Sequence, residues 1–534
     1  MTPTAITTDA PTGRTGRDRF SSAARDEHYK WWALSCTSLG MLLAATNSGT
    51  LIIALPNLER SLHASLLALV WVILAYLIAA TVLVLSAGRL SDLFGRKRAY
   101  VGGFLLFAVA SLGAGFSSDT TVLILWRILQ GIGSSFIFAN AAALVTDAFP
   151  REQLGLAMGG NTMVAAIGLV LGPVLGGALV SISWHWVFWF NVPLALLGAA
   201  WGGLILRELA KTDSVRGYDV LGTCTFVVGL TGLVLGVSRG GLSGWNDTIV
   251  IVSLLTALIL LPAWVAIERR SRAPMLDLQI FRNRLFAAAS AASFINGLAR
   301  FALMFLFVFY YQGAQGYTPL HAGINLIPLA FGMLVASPIA GMYADRHGSR
   351  ALAAAGMLVT AAGLAAMTTL QVGSPYWQSG LWLLIVGVGS GMFNSPNTAA
   401  MMGVVPARRR GVAAGARTLL QNTGAVLSIA FVLAIVTSAV PKATLFAIFS
   451  GLSKGLSAAK LAPFISNMHV ALWVLAGTSL LGVAVCLMRP PHTSAVQEPA
   501  GEGSRAIAPA PVGAPVPTGA GFEEAEITSA GAPA

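Results

Sequence analysis

Runs of about 20 apolar residues, the length that crosses a bilayer as a helix, recur along this chain with only short polar turns between them. Such a chain can bury its backbone polar groups in a membrane only as helices or a closed barrel, and runs of this length specify helices. They are expected near 31–55, 67–87, 99–117, 121–145, 157–181, 186–206, 218–238 and 248–267. Six more follow near 285–311, 321–343, 351–370, 379–402, 411–437 and 470–488. Composition agrees: 56% of residues are hydrophobic and 10% charged, too little charge to coat a water-facing domain of 534 residues. The fold class is therefore an all-α membrane protein. Fourteen crossings put both tails on one side. Of the 33 Lys and Arg residues, 25 fall in the segments on that side, five on the other and three inside spans. The positive-inside rule makes the favoured side cytoplasmic, in a cell membrane, and the net charge of +12 is an orientation signal rather than a nucleic-acid footprint. The first run starts at Trp31, is as long as a bilayer is thick, and precedes no small-residue cleavage site. It is read as a retained span.

Two halves are related by repetition. The turn Gly88-Arg-Leu-Ser-Asp-Leu-Phe-Gly-Arg-Lys-Arg98 returns in degenerate form as Gly341-Met-Tyr-Ala-Asp-Arg-His-Gly-Ser-Arg350. Gly88, Asp92 and Gly95 match Gly341, Asp345 and Gly348 at one offset, and Gly131, Gly133, Pro150, Gly155 and Gly159 match Gly387, Gly389, Pro406, Gly411 and Gly415 at another. The expected organisation is a tail over 1–30, a six-helix bundle over 31–206, two additional spans and a linker over 207–284, a second six-helix bundle over 285–488, and a disordered tail over 489–534 rich in Ala, Pro and Gly. Halves built this way place a small-molecule site between them near the midplane. The stretch 268–286 interleaves arginines with apolar residues and is expected as an interfacial amphipathic helix. The stretch 440–469 reads as the longest external loop.

Several classes fall away. Cys36, Cys224 and Cys486 lie in apolar runs and imply no disulfide framework. The seven histidines are scattered, with no metal-ligand spacing, so no metal or other cofactor is expected and a polytopic enzyme is disfavoured. No phosphate-binding Gly-x-x-x-x-Gly-Lys-Ser/Thr string is present to supply ATP drive.

The fifth span carries Gly168-Leu-Val-Leu-Gly172-Pro173-Val-Leu-Gly176-Gly177. Glycines four apart leave a bare stripe for close helix approach, and Pro173 removes a backbone donor. The matching second-half stretch, Gly424 to Ser428, lacks the Gly-Pro pair. These strings, with Arg127-Ile-Leu-Gln130-Gly-Ile-Gly133, Trp184-His-Trp-Val-Phe-Trp-Phe-Asn-Val-Pro193 and Pro274-Met-Leu-Asp-Leu-Gln-Ile-Phe-Arg-Asn-Arg284, resemble those of the major facilitator superfamily, and within it the 14-span drug:proton antiporters. The resemblance runs from the first span to the last.

It implies two six-helix bundles plus two extra spans, and export of small amphipathic compounds by alternating access, with protons as the coupling ion and a monomer as the working unit. It also implies a gating relay around Gly88, Asp92, Gly95 and Arg96, with Asp345 and Gly348 in the second half, and an antiporter motif at Gly168, Gly172, Pro173, Gly176 and Gly177. Arg127 resembles an intramembrane arginine linked to proton transfer. An arginine at a span centre costs about 2.5–3.5 kcal/mol on insertion scales, so it needs a partner or a wet cavity. One position departs: the family's first-span aspartate is here Asn47, which does not titrate. No Asp or Glu lies at central depth, since Glu59, Asp147, Asp219 and Asp345 sit at span ends. Meanwhile Arg300 with Asn296, and Arg417 with Gln421, fall inside spans. With Asn47, Arg127, Gln130, Asn394 and Asn397 they suggest a positive, hydrogen-bonding cavity that favours neutral or anionic cargo. Pairing of Arg300 and Arg417 with backbone carbonyls or span-end carboxylates is the alternative. Export of an endogenous lipid, siderophore or secondary metabolite satisfies the same sequence.

Overall fold

With no water to satisfy it, the backbone of each apolar run closes its hydrogen bonds internally. In the computed structural model these runs are helices. The residues described are 27–149, 153–208, 219–271, 274, 276, 278–405, 410–438, 440–449 and 457–489. They lie within one compact unit that ends at His492. The first repeat supplies α1 (Glu27–Leu62), α2 (Leu66–Phe94), α3 (Arg96–Gly115), α4 (Thr120–Ala148), α5 (Leu154–Ile182), α6 (Trp186–Trp189) and α7 (Asn191–Ile205). Then come α8 (Val220–Ser243) and α9 (Thr248–Arg270). The second repeat supplies α10 (Arg284–Val308), continued by a π-turn over Phe309–Ala314, then α11 (Pro319–Asn325), α12 (Ile327–His347) and α13 (Ser349–Ala366). It ends with α14 (Tyr376–Gly403), α15 (Arg410–Thr437), α16 (Lys442–Phe449) and α17 (Ala458–Leu487).

Every expected span falls on a helix. Among the described residues, 13 helices are long and apolar enough to cross a membrane. The helix α14, 28 residues long, is not among them. Its inner turns carry Asn394 and Asn397, which dilute its apolarity where it faces other helices. Three expectations are corrected. The 440–469 stretch is not a loop: α16 and the first turns of α17 occupy its described part. No single amphipathic helix covers 268–286. The helix α9 ends at Arg270, and a 3-10 turn over Leu278–Arg282 precedes α10. Between them Glu268, buried, accepts the Leu276 backbone N–H. Arg489 does not begin a solvated tail but is buried at the end of α17.

The repetition in sequence recurs in packing. In the first half α1 lies on α5, α2 and α3 on α4, and α3 on α7; in the second, α10 lies on α15, α12 and α13 on α14, and α13 on α17. Across the halves α5 meets α11 and α12, and α2 meets α15. The additional pair covers this second seam: α8 packs on both α2 and α15, with Ser86 and Thr223 hydroxyls 3.2 Å apart, and α9 packs on α8. At the α8–α9 turn Asp247 caps α9. The Ile249 backbone N–H it accepts, and then the Arg239 guanidinium at 3.1 Å, hold its carboxyl below the usual carboxylate range.

The repeated turn has one geometry in both halves. Gly95 (φ +98°) and Gly348 (φ +87°) each join two helices in a conformation that a side chain resists. At Gly95 space is a second constraint, because a Cβ would lie 2.6 Å from a Glu208 carboxylate oxygen. That carboxylate caps α3 by accepting the backbone N–H groups of Arg96 (2.7 Å) and Lys97 (3.2 Å). In the second half the chemistry is reversed. The Arg350 guanidinium donates to the Leu487 carbonyl at the end of α17.

Gly95→Ala should destabilise the protein by about 1–3 kcal/mol through backbone strain. Glu208→Ala should cost about 1 kcal/mol through loss of the cap. Because the two residues touch, the double variant should lose less than the sum of the single ones, as read from thermal midpoints of the purified protein.

Candidate functional site

Arg127 of α4 is 1% exposed, and among the described residues no acid lies in its hydrogen-bonding shell. Dipoles hold it instead. Its Nε donates to the Val72 carbonyl of α2 at 3.0 Å, its Nη1 to Asn47 Oδ1 at 3.4 Å and to Gln130 Oε1 one turn on. The Tyr76 ring lies under its guanidinium at 4.3 Å. Gln130 donates in turn to Ser111 Oγ (2.7 Å) and to Asn47 Oδ1 (3.3 Å). A third donor reaches the same oxygen: Asn191 Nδ2 of α7, at 3.4 Å. The structure thus brings Asn47, Arg127 and Gln130 together and adds Tyr76, Ser111 and Asn191. Three N–H groups converge on one oxygen, an arrangement suited to a carboxylate and filled here by an amide. The Asn47 Nδ2 and Asn191 Oδ1 atoms are buried without a partner.

The glycine stripe of α5 sets where Asn47 sits. A Cβ at Gly168 would lie 2.9 Å from Ala45 Cβ, at Gly172 2.9 Å from Gly49 Cα, and at Gly176 2.7 Å from Thr50 Cα. So α1 approaches α5 backbone to backbone along the segment that carries Asn47. Gly177 faces the other half, where a Cβ would lie 2.6 Å from the Leu320 Cα of α11. Gly323 of α11 similarly abuts the Pro173 carbonyl. The motif therefore packs on two sides, against α1 within its half and against α11 across the boundary. In the second half Gly297 and Gly424 allow the matching contact of α10 with α15.

There the polar residues separate. Arg300 is 9% exposed; it meets the Met333 sulfur at 3.7 Å and the Phe301 ring at 6.0 Å, with Nε buried and unpartnered among the described residues. Asn296, one turn earlier, donates to Met357 Sδ at 3.4 Å and leaves Oδ1 unpartnered. Arg417 donates to Thr398 Oγ1 (3.0 Å), which donates to the Asn394 carbonyl, while the Asn394 amide bonds the Ser390 carbonyl of its own helix. Gln421 meets α10 through its backbone carbonyl, beside Gly297. Asn397 belongs to another cluster. It donates to Ser293 Oγ (2.7 Å) and the Ala289 carbonyl (3.2 Å) and accepts from the Arg489 guanidinium. The expectation of one shared wall of guanidinium and amide groups is corrected on this point: Asn397 is occupied by Arg489, a residue assigned from sequence to the tail. Among the described residues no hydrogen bond joins the Arg127 cluster to Arg300.

At the repeated turn Arg96 pairs with Asp147 of α4 at 2.6 Å. The side chains of Asp92 and Asp345 lie outside the described residues, as does the expected relay through them, while a Cβ at Gly88 would lie 3.8 Å from Ala139 Cβ of α4, ordinary contact. At the opposite end of α1, Glu59 is 3% exposed with its Oε2 unpartnered. Earlier on the same helix the Ile53 carbonyl accepts from Nε2 of Gln312, in the π-turn of the second half, at 3.1 Å. Sequence reading missed Asn191, Glu208, Gln312 and Arg489. The first lay in the Trp184–Pro193 string already singled out, and the others had no local signal.

Replacing Asn47 by Ala should leave three buried donors without their common acceptor and cost about 2–4 kcal/mol. Asn47→Asp should instead retain the wild-type thermal midpoint or raise it at neutral pH, because the second oxygen takes the place of the unpartnered Nδ2. Thermal unfolding of the two purified variants checks both.

Known proteins agree with this architecture. The family model described as Major Facilitator Superfamily matches residues 37–429 and 289–524. The tetracenomycin C resistance and export protein of Streptomyces glaucescens is 30% identical over 407 residues, covering 75% of this chain and 74% of that protein. Multidrug resistance protein Stp of Mycobacterium tuberculosis is 33% identical over 418 residues, covering 77% and 76%. Among solved structures, a D-xylose–proton symporter superposes with a TM-score of 0.59 at 15% identity, over 87% of this chain and 98% of that one, a likeness of fold. Together with the repeated turn and the helix order, these matches place the chain in the major facilitator superfamily of membrane transporters.

Proposed function

We propose that this transporter exports small amphipathic compounds, neutral or anionic, by alternating access of its two halves about a site that includes Arg300. The observation that carries the reading is the state of that guanidinium. It is buried, it has a sulfur and an aromatic ring for neighbours, and its Nε is unpartnered. A cation so placed favours a ligand that brings an acceptor or a negative charge. Asn296 Oδ1, one turn away and also unpartnered, can take a donor from the same ligand. The direction of transport rests on the relatives, two of which are named for export or multidrug resistance. The tails are assigned to the cytoplasm by the placement of Lys and Arg, and the working unit is a monomer.

Proton coupling is assigned to Glu59. Asn47 cannot titrate, and Asp147 is held by Arg96. Glu59 is a buried carboxylate with an open oxygen at the end of α1, the helix on which Gln312 bridges the halves. A second reading keeps the fold and narrows the cargo to a single metabolite, as the name of the tetracenomycin C exporter illustrates for that relative.

Efflux measured with dyes matched in size and opposite in charge tests the proposal. Wild type should export the anionic dye in preference to the cationic one. Arg300→Gln should reduce anionic export by about 10–100-fold, the value of a charged hydrogen bond of roughly 1.5–3 kcal/mol, and leave neutral cargo less affected. Glu59→Gln should abolish export driven by a pH gradient while leaving ligand binding intact. Preference for the cationic dye would refute the charge assignment, and full pH-driven export by Glu59→Gln would refute the coupling assignment.

A further inference from the structure

Helical spacing puts Ser293, Asn296 and Arg300 on one face of α10, and all three are buried. Each donates to the sulfur of a methionine on a different helix: Met401 of α14 at 3.9 Å, Met357 of α13 at 3.4 Å and Met333 of α12 at 3.7 Å. The first half answers its buried cation with oxygen, a carbonyl and two amides around Arg127. Among the described residues no oxygen accepts from the Arg300 guanidinium. A thioether is a weak acceptor, so Arg300 keeps most of its bonding capacity unspent.

The three sulfurs are not equivalent. Met357 and Met401 are fully buried. A Cβ at Gly482 of α17 would collide with the Met357 methyl carbon, and Met401 also takes the Asn397 amide at 3.9 Å. Met333 is only half-buried. Its backbone lies tight against α14: a Cβ at Gly391 would be 3.0 Å from the Met333 carbonyl oxygen, and one at Gly332 would be 2.6 Å from the Leu384 carbonyl oxygen. What can give way at residue 333 is therefore the side chain, with its three rotatable bonds. The same helix, α12, packs on α5 of the first half, so it borders the boundary between the halves.

We propose that Met333 is a specificity residue of the cargo site. Its sulfur holds the Arg300 guanidinium between cargoes and swings aside for a carboxylate, sulfonate or phenolate oxygen. The charge-assisted bond that such an oxygen makes to a guanidinium is the stronger of the two. A weak and movable acceptor lets one guanidinium take anions of differing shape, as flexible methionine-rich surfaces do in binders of many partners. A fixed oxygen there would close the site, as around Arg127. This role rests on the reading of Arg300 as part of the cargo site.

Purified full-length protein in detergent micelles supplies the test, with fluorescein as the anionic probe and its uncharged dimethyl derivative as the neutral one, both read by fluorescence polarisation. M333Q puts an amide oxygen where the sulfur stands. It should weaken fluorescein binding by about 10-fold or more, change the neutral probe by less than about threefold, and keep the wild-type thermal midpoint. R300Q should weaken fluorescein to a similar extent, and R300Q/M333Q no further, because Met333 acts through Arg300. In protein carbon-labelled at its methionine methyl groups, saturating fluorescein should shift the Met333 resonance, identified by its loss in M333L, and leave those of Met357 and Met401 in place. Equal weakening of both probes by M333Q, or a loss that adds to that of R300Q, would overturn the proposal in favour of a packing role. Weak binding by R300Q with full binding by M333Q and an unmoved Met333 resonance would overturn the role of Met333 alone. Full fluorescein binding by R300Q would instead remove the Arg300 site, and Met333 with it.

Discussion

A cation buried among helices must be answered by charge or by dipoles, and this protein answers two such cations differently. Arg127 has a carbonyl, two amide oxygens and an aromatic face around it. Arg300 has a thioether and a more distant ring, 6.0 Å away. In a medium where an unmet charge is worth several kcal/mol, that difference divides the labour of the two halves. The first-half cluster is closed on itself and holds α1, α2, α4 and α7 in register. The second-half residue keeps a buried Nε without a partner.

Close backbone approach makes the first arrangement possible. Gly168, Gly172 and Gly176 let α1 lie close against α5, which fixes the height and rotation of Asn47 relative to Arg127. Gly177 and Gly323 extend the same bare surface across the boundary between halves. A stripe first read as a single packing device is therefore double-sided. One face positions a polar network, and the other brings the α11 backbone close to α5 across the boundary between the halves.

Much of the fold could be read in the sequence because a bilayer leaves few options. Each long apolar run is a helix, and the repeated Gly95 and Gly348 turns announced the pairing of halves that the helix contacts reproduce. The failures have one physical source. Apolarity marks what contacts lipid or core, not whether a segment is a loop, so 440–469 was misjudged where the short helix α16 precedes an early start of α17. The same weakness hid Arg489, whose charge suggested water although its partner Asn397 draws it inward. Of the site, Asn47, Arg127 and Gln130 were legible because a polar residue in an apolar run stands out. Asn191 and Glu208 were not, since their partners lie more than a hundred residues away in the chain.

The presence of an amide where three donors meet also explains how a chain of this family can carry the geometry of a carboxylate site without its charge. In the function proposed, proton traffic uses a group elsewhere, and cargo charge is matched by the half whose guanidinium keeps an unpartnered Nε. The most direct measurement is an experimental structure with an anionic cargo bound. The account requires an oxygen of that cargo within about 3 Å of Arg300 Nε. A map in which Arg300 is already capped by a protein carboxylate or carbonyl, with the cargo bound elsewhere, would contradict it.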